Sequence, residues 1–158
     1  MIHEEIGDFA AALPPMRGLL GLDLGTKTIG VAASDRLRTI ASAVETIRRS
    51  KFTAEAERLI ALAETREAGG IVLGLPRNMD GSEGPRAQST RAFARNLSRL
   101  TDLPIAFWDE RLSTVAAERA LIEADTSRRR RAEVIDQVAA GLILQGCLDR
   151  LARLGGAR

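Results

Sequence analysis

The run Gly21-Leu22-Asp23-Leu24-Gly25-Thr26-Lys27-Thr28-Ile29-Gly30 decides how this chain is read. It sets one carboxylate, Asp23, in an apolar strand just before a glycine turn and a second strand. In extended backbone Leu20, Leu22 and Leu24 share one face, and Gly21, Asp23 and Gly25 share the other. A charged group in a buried strand costs several kcal/mol unless it is paired or binds a metal. A divalent cation is the simplest group to offset that cost, and the flanking glycines leave room for a ligand to approach. The plainer reading is a strand-end Asp that bonds turn amides.

Outward from this run, residues 19–24 and 28–34 read as two antiparallel strands, and a third runs through residues 39–47. Residues 52–68 are Ala/Glu/Leu-rich with a helical period, which Gly69-Gly70 is expected to end as a helix C-cap. Ile71-Val72-Leu73 is a short apolar strand that breaks at Gly74-Leu75-Pro76, and residues 77–84 are a polar loop. A helix starts near Pro85, a favoured first-turn residue, and carries Arg91, Arg95 and Arg99 in one row to about residue 100. Residues 104–108 form another strand, ending in Asp109-Glu110. Ser113 or Thr114 caps a helix to about residue 124, residues 125–131 connect, and a last helix covers residues 132–154. Three strands followed by βα alternation predict an α/β fold with a mixed five-stranded sheet and helices on both faces.

Composition narrows the chemistry. With 158 residues, 45% apolar and 28% charged, the chain is long enough for one domain with a real core. Its first seventeen residues read as an arm, with residues 18–158 as the domain. Ile2, Ile6, Phe9 and Leu13 recur at helical spacing there until Pro14-Pro15, which fits a short amphipathic helix or a disordered arm. One cysteine, Cys147, rules out an internal disulfide or multi-cysteine zinc site, and the lone His3 argues against a Ser-His-Asp triad. No segment approaches the ~18 apolar residues of a membrane span. Glu4, Glu5 and Asp8 stand where a signal peptide carries positive charge, so a cytoplasmic location is expected. Net charge is only +2, but residues 128–131 are all arginine, and Arg36, Arg38, Arg48, Arg49 and Lys51 form an earlier basic cluster.

Sites in open sheets collect at the carboxyl ends of central strands. Asp23 ends the first strand and Asp109-Glu110 the last, while Asp136 sits in the first turn of the expected final helix, heading an apolar stripe of Ala140, Ile143, Cys147 and Leu151. Adjacent strand residues face opposite ways, so one of Asp109 and Glu110 is expected to join the site. Acids converging at one sheet edge suit a hard cation such as Mg²⁺, which takes oxygen ligands and keeps several waters.

Four motifs then carry a resemblance. They are residues 21–32 (Gly21-Leu22-Asp23-Leu24-Gly25-Thr26-Lys27-Thr28-Ile29-Gly30-Val31-Ala32), the 74–84 segment beginning Gly74-Leu75-Pro76-Arg77-Asn78-Met79-Asp80-Gly81, Asp109-Glu110-Arg111-Leu112-Ser113-Thr114, and the 135–145 segment beginning Ile135-Asp136-Gln137. In this order the chain, from about Gly18 to Leu151, resembles the YqgF family of pre-16S rRNA nuclease and Holliday-junction-resolvase-like proteins in the ribonuclease H-like superfamily.

The resemblance implies a ribonuclease H-like fold and a catalytic, metal-binding triad of Asp23, Glu110 and Asp136. It implies Mg²⁺ or Mn²⁺ as cofactor and phosphodiester hydrolysis, with pre-16S rRNA 5′-end processing in ribosome biogenesis as the expected role. Thr26, Lys27, Arg77, Asn78, Arg111, Arg128, Arg129, Arg130 and Arg131 are the expected nucleic-acid contacts. Arg77 stands where the family usually has a small aliphatic residue. Expected partners are pre-rRNA or structured RNA or DNA and ribosomal particles, with no membrane, for a monomer or homodimer. Three other readings stay open: a resolvase-like DNA nuclease, a non-catalytic RNA-binding assembly factor, and an actin-like ATP-binding domain, since Asp-x-Gly-Thr is also the phosphate-facing hairpin of that fold.

Overall fold

The computed structural model describes residues 1–113, 115, 117, 118, 121 and 128–156, the side chains of 128–134 and 156 excepted. The expected helix from Ser113 or Thr114 to about residue 124 lies mostly outside the described residues. In chain order the elements are β1 (Ile2–His3), α1 (Ile6–Ala12), β2 (Gly18–Leu24), β3 (Thr28–Ser34), β4 (Ala41–Arg48), α2 (Phe52–Thr65), β5 (Ala68–Leu75), α3 (Pro85–Ser98), β6 (Ile105–Asp109), a 3-10 turn (Glu110–Leu112) and α4 (Arg128–Gly156).

The strands form one mixed sheet in the order β1-β6-β5-β2-β3-β4. β2 is antiparallel to β3 and parallel to β5, and β6 runs parallel to β5. Alternation of side chains along β2 divides the core. Leu20 and Leu22 join Ile29, Leu73, Leu59 and Phe93 on the α2/α3 side, while Leu19 joins Val72, Trp108, Ile143 and Leu144 on the α1/α4 side. The result is a three-layer sandwich with α4 lying across β2 and β3. None of the described helices is long and apolar enough to cross a membrane.

Three sequence expectations change. The sheet has six strands rather than five because Ile2 and His3 pair in parallel with Ile105 and Ala106. Two residues are too few to show a strand period. The arm is thus part of the sandwich, and its helix α1 buries Phe9 completely.

The second change concerns Gly69-Gly70, which do not cap α2 but lie inside β5. The left-handed turn after α2 falls on Glu67, at φ 52°. The glycines are needed because the arm crosses them. A Cβ at Gly69 would come within 2.8 Å of Arg17 Cβ, and one at Gly70 within 2.7 Å of Leu13 Cδ2.

α4 also begins earlier than expected. The arginines at 128–131 form its first turn, which puts Asp136 in the third turn rather than the first. Arginine is a good helix former, so a run of four need not mark a connection. Cys147, fully buried on α4, has its thiol pushed up to about 12 by burial and is no nucleophile.

Candidate active site

Asp23 is the penultimate residue of β2 and points to the α4 side with only 2% of its surface exposed. What surrounds it is set by two glycines. Across the hairpin Asp23 pairs with Gly30, and a Cβ on Gly30 would fall on the backbone carbonyl of Asp136. On the other side Leu22 pairs with Leu73 of β5, so Gly74 is next in register beside Asp23. A Cβ there would stand 3.4 Å from Glu110 Cγ, besides striking Ile143. The strands flanking Asp23 therefore both carry glycine at its level. One bare position admits the backbone of Asp136, and the other admits the Ile143 side chain of α4, with Glu110 in contact beside it.

The Asp136 carboxylate extends over Gly25, where a Cβ would lie 2.7 Å from Oδ2. That oxygen accepts a hydrogen bond from the Thr28 hydroxyl. Gly25 is two residues beyond Asp23 on the same face of the chain. The hairpin between them is closed by Gly25 N–H donating to the Thr28 carbonyl at 2.9 Å. Asp136 is 9% exposed, so both acids are withdrawn from bulk water. Among the described residues, no three metal-ligating side chains are close enough to enclose one ion as they stand. The donor set still fits a hard cation, because Mg²⁺ keeps several waters and is held by one or two protein carboxylates plus substrate phosphate.

Asp109 ends β6 and Glu110 opens the 3-10 turn, and the two carboxylates go to different surroundings. The Asp109 carboxylate accepts from Arg111 Nη2 at 2.7 Å and from the Arg111 amide at 3.0 Å, with Arg77 Nη1 3.9 Å away. Chiefly through the Arg111 hydrogen bond, its pKa is held below the ordinary carboxylate range. Asp109 is thus committed to an alternating chain of charges. From Arg77 the chain continues to Glu83 at 3.5 Å, then to Arg91 at 2.6 Å and on to Glu4 at 2.9 Å.

This chain ties the arm, α3 and the 77–84 loop to the end of β6. Within the loop, Asn78 Nδ2 donates to Ser82 Oγ and Asp80 accepts from the Ser82 amide, both at 2.9 Å, so Asn78 and Asp80 shape the turn.

The expected nucleic-acid contacts fall into three groups. Thr26 and Lys27 are exposed at the hairpin tip beside the acids. Arg77, Asn78 and Arg111 are engaged in holding the loop and β6. The side chains of Arg128, Arg129, Arg130 and Arg131 lie outside the described residues, although their backbone opens α4. In the Arg91, Arg95, Arg99 row, Arg91 is engaged with acids and stacks 4.8 Å from the Phe107 ring centroid, while Arg95 and Arg99 are exposed. Sequence reading assigned no role to Thr28, Gly30 or Gly74. Only the G-x-D-x-G-x₄-G spacing hinted at Gly30.

The chain has known relatives. Residues 17–150 match the family model RuvX, described as Holliday junction resolvase. The chain belongs to the RuvX family. That bears out the resemblance carried by the four motifs, and it places the RuvX-family chain among nucleases.

It is 73% identical over 158 residues to a Cereibacter sphaeroides (strain ATCC 17025 / ATH 2.4.3) protein named "Putative pre-16S rRNA nuclease", covering 100% of this chain and 99% of that one. A Ruegeria sp. (strain TM1040) protein of the same name is 70% identical over 154 residues, covering 98% of each. Among solved structures, T. thermophilus RuvC in complex with Holliday junction substrate aligns with a TM-score of 0.53 at 11% identity, over 88% of this chain and 96% of that one. The yeast mitochondrial Holliday junction resolvase aligns at 0.51 and 13% identity, over 97% of this chain and 87% of that one. These two likenesses establish the ribonuclease H-like fold of the RuvX-family chain.

Proposed function

We propose that this RuvX-family nuclease hydrolyses phosphodiester bonds of the pre-16S rRNA 5′ region at a divalent-metal centre formed by Asp23, Asp136 and Glu110. One observation carries the reading. The strands on both sides of buried Asp23 have glycine at its level, which lets α4 close on the sheet with the Asp136 backbone over Gly30 and Ile143 over Gly74, where Glu110 from the end of β6 also makes contact.

Asp23 and Asp136 would hold Mg²⁺ or Mn²⁺, with Glu110 completing the acidic wall. A bound cation supplies an activated water and neutralises charge on the phosphate. The chain's own part is to place these carboxylates in a dry setting. The Thr28 hydroxyl orients the Asp136 carboxylate, as outer hydrogen bonds do for metal ligands. The lone His3 lies on β1, the strand at one edge of the sheet, so no imidazole on the β2–β5 hub stands as general base. Lys27 and Thr26 are placed to meet phosphate at the rim, and the arginines opening α4 would add to that contact.

The substrate assignment is supported by the names of relatives that are more than two thirds identical over nearly the whole chain. With that substrate the protein works in the cytoplasm, on ribosomal precursors. The test compares Mn²⁺-dependent cleavage of a pre-16S rRNA 5′ fragment with that of a four-way DNA junction at matched salt. Faster cleavage of the RNA, lost in Asp23→Asn and Asp136→Asn, is expected. Cleavage of the junction alone would move the protein to DNA, and full rRNA processing by both variants would make it a non-catalytic factor.

A further inference from the structure

The basic cluster read from the sequence around residues 36–51 splits in two once folded. Arg36 and Arg38 lie at the β3–β4 turn, where Arg38 Nε donates to the Arg17 carbonyl at 2.8 Å and fastens the arm. Arg48 ends β4, and Arg49 and Lys51 follow it, about 25 Å away for an eight-residue strand. There Arg49 joins Arg86 in the lining of a cleft of 320 Å³ between the β2–β3 hairpin and the start of α3. Lys27 is held beside Arg49 by its carbonyl, which accepts from the Arg49 amide, Lys51 follows two residues later, and Arg48 faces the α4 side with Thr28 and Thr46. Thr26, Arg49, Arg86, Ser89, Thr90 and Phe93 line it. The cleft faces the α2/α3 side of the sheet, opposite the carboxylates.

We propose that this cleft seats a backbone phosphate of the nucleic-acid strand, next to the one at the carboxylates. The inference rests on the nuclease reading above. Arg49 is built in place: Nε donates to Glu55 Oε2 and Nη1 to the Gly25 carbonyl, both at 2.9 Å, and the guanidinium lies 5.7 Å from the Phe93 ring centroid. Glu55 is buried, so it orients Arg49 without facing the cleft mouth. Arg86 reaches the Leu24 carbonyl at 3.4 Å. Among the described residues no carboxylate makes an ion pair with Arg86, Lys27, Arg48 or Lys51.

Like charges gathered at one rim repel one another, and a polyanion is the partner that relieves the repulsion and releases its own counterions. α3 adds to the imbalance. Its first turn holds no acid and instead carries Arg86, a cation at the positive end of a helix.

Gly25 joins the two sites. Its α-carbon faces Asp136 Oδ2, and its carbonyl accepts from Arg49. One residue therefore separates the phosphate seat from the acids, which suits successive phosphates of one strand crossing the hairpin tip. The cleft is at the small end of ligand pockets, which run roughly 300–1,000 Å³, and its polar lining of hydroxyls and guanidinium groups is set among Leu24, Pro85 and Phe93. It fits a phosphodiester in passage better than an entire nucleotide.

The experiment measures binding of a labelled pre-16S rRNA 5′ fragment without divalent metal, across about 50 to 200 mM KCl. Wild type, Arg86→Gln and Lys51→Gln are compared, with ATP binding followed in parallel. Each neutralisation is expected to weaken RNA binding and lower the slope of log affinity against log salt by about one unit. Both side chains are exposed, so folding is retained, and thermal melting checks this.

A slope unchanged in both variants overturns the proposal, as does an Arg86→Gln effect confined to ATP. Unchanged slopes with cleavage abolished in Asp136→Asn would remove the phosphate seat and leave the nuclease reading standing. Lowered slopes with full cleavage by Asp136→Asn would do the reverse.

Discussion

The hydroxyl of Thr28 donates a hydrogen bond to Oδ2 of Asp136, a residue 108 positions later in the chain. The bond anchors the helix-borne acid to the hairpin that carries Asp23. Removing the hydroxyl while keeping the branched shape, Thr28→Val, should lower Mn²⁺ affinity by about 10- to 100-fold, the usual effect of losing an outer partner of a metal ligand. Thr28→Ser should restore most of it. Equal Mn²⁺ affinities for Thr28→Val and wild type in calorimetric titration would show that the bond does not position the acid.

Gly30 and Gly141 predict opposite outcomes for the same substitution. Alanine at Gly30 would drive a methyl group into the backbone of Asp136, which cannot rotate away. Gly30→Ala should cost about 1–3 kcal/mol or more through displacement of α4. A Cβ at Gly141, on α4, meets nothing within 4 Å. Gly141→Ala should stabilise the protein by up to about 1 kcal/mol, from helix propensity. Urea denaturation of both variants reads the contrast.

Asp109 and Glu110 are neighbours with different work. Asp109→Asn weakens the hold of Arg111 and Arg77 on the end of β6, which should cost about 1–2 kcal/mol and increase proteolysis within residues 77–84. Mn²⁺ binding should persist in that variant. Glu110→Gln should do the opposite, lowering cleavage with little change in stability or loop protection.

Acid sensitivity follows from carboxylates held ionised. Thr39 Oγ1, donating at 2.6 Å, is the first cause that takes Asp35 from the ordinary 3.8 to about 2, followed by the amides of Ile40 and Thr39. A pKa depressed in the folded state means that the stabilisation is complete above the unfolded value and is lost as pH falls through the folded one. Asp109, held down by Arg111, and Glu83, held down by Arg91, act in the same direction. The urea midpoint should therefore stay level down to about pH 4 and fall between about pH 4 and pH 2. Asp35→Asn should lower it at neutral pH and flatten the acid limb.

The sequence was most legible where local chemistry sets structure. The face alternation of β2, the tight hairpin after Gly25 and the start of α3 at Pro85 all appear as read. Gly69-Gly70 were misread because their reason is tertiary: Leu13, Pro14 and Arg17 of the arm pass over them. β1 escaped notice because its two residues are fixed by pairing with β6 and not by any pattern of their own.

At the candidate site, the residue pattern singled out Asp23, Asp136 and one of Asp109 and Glu110, and the family resemblance implied Glu110. Both were silent on Thr28 and on the paired role of Gly30 and Gly74, which exist only when α4 and β6 arrive from far along the chain. Arg111 illustrates the converse. Its charge suggested phosphate, yet folding gives it Asp109 as a neighbour two residues away.

The central claim is that Asp23 and Asp136 hold a divalent cation where the glycines on either side of Asp23 make room. Mn²⁺ titration of wild type, Asp23→Asn, Asp136→Asn and Asp109→Asn by isothermal calorimetry tests it most directly. Saturable binding is expected in wild type and Asp109→Asn, with its loss in Asp23→Asn and Asp136→Asn and folding intact by circular dichroism. Undiminished Mn²⁺ binding in Asp23→Asn and Asp136→Asn would contradict the claim.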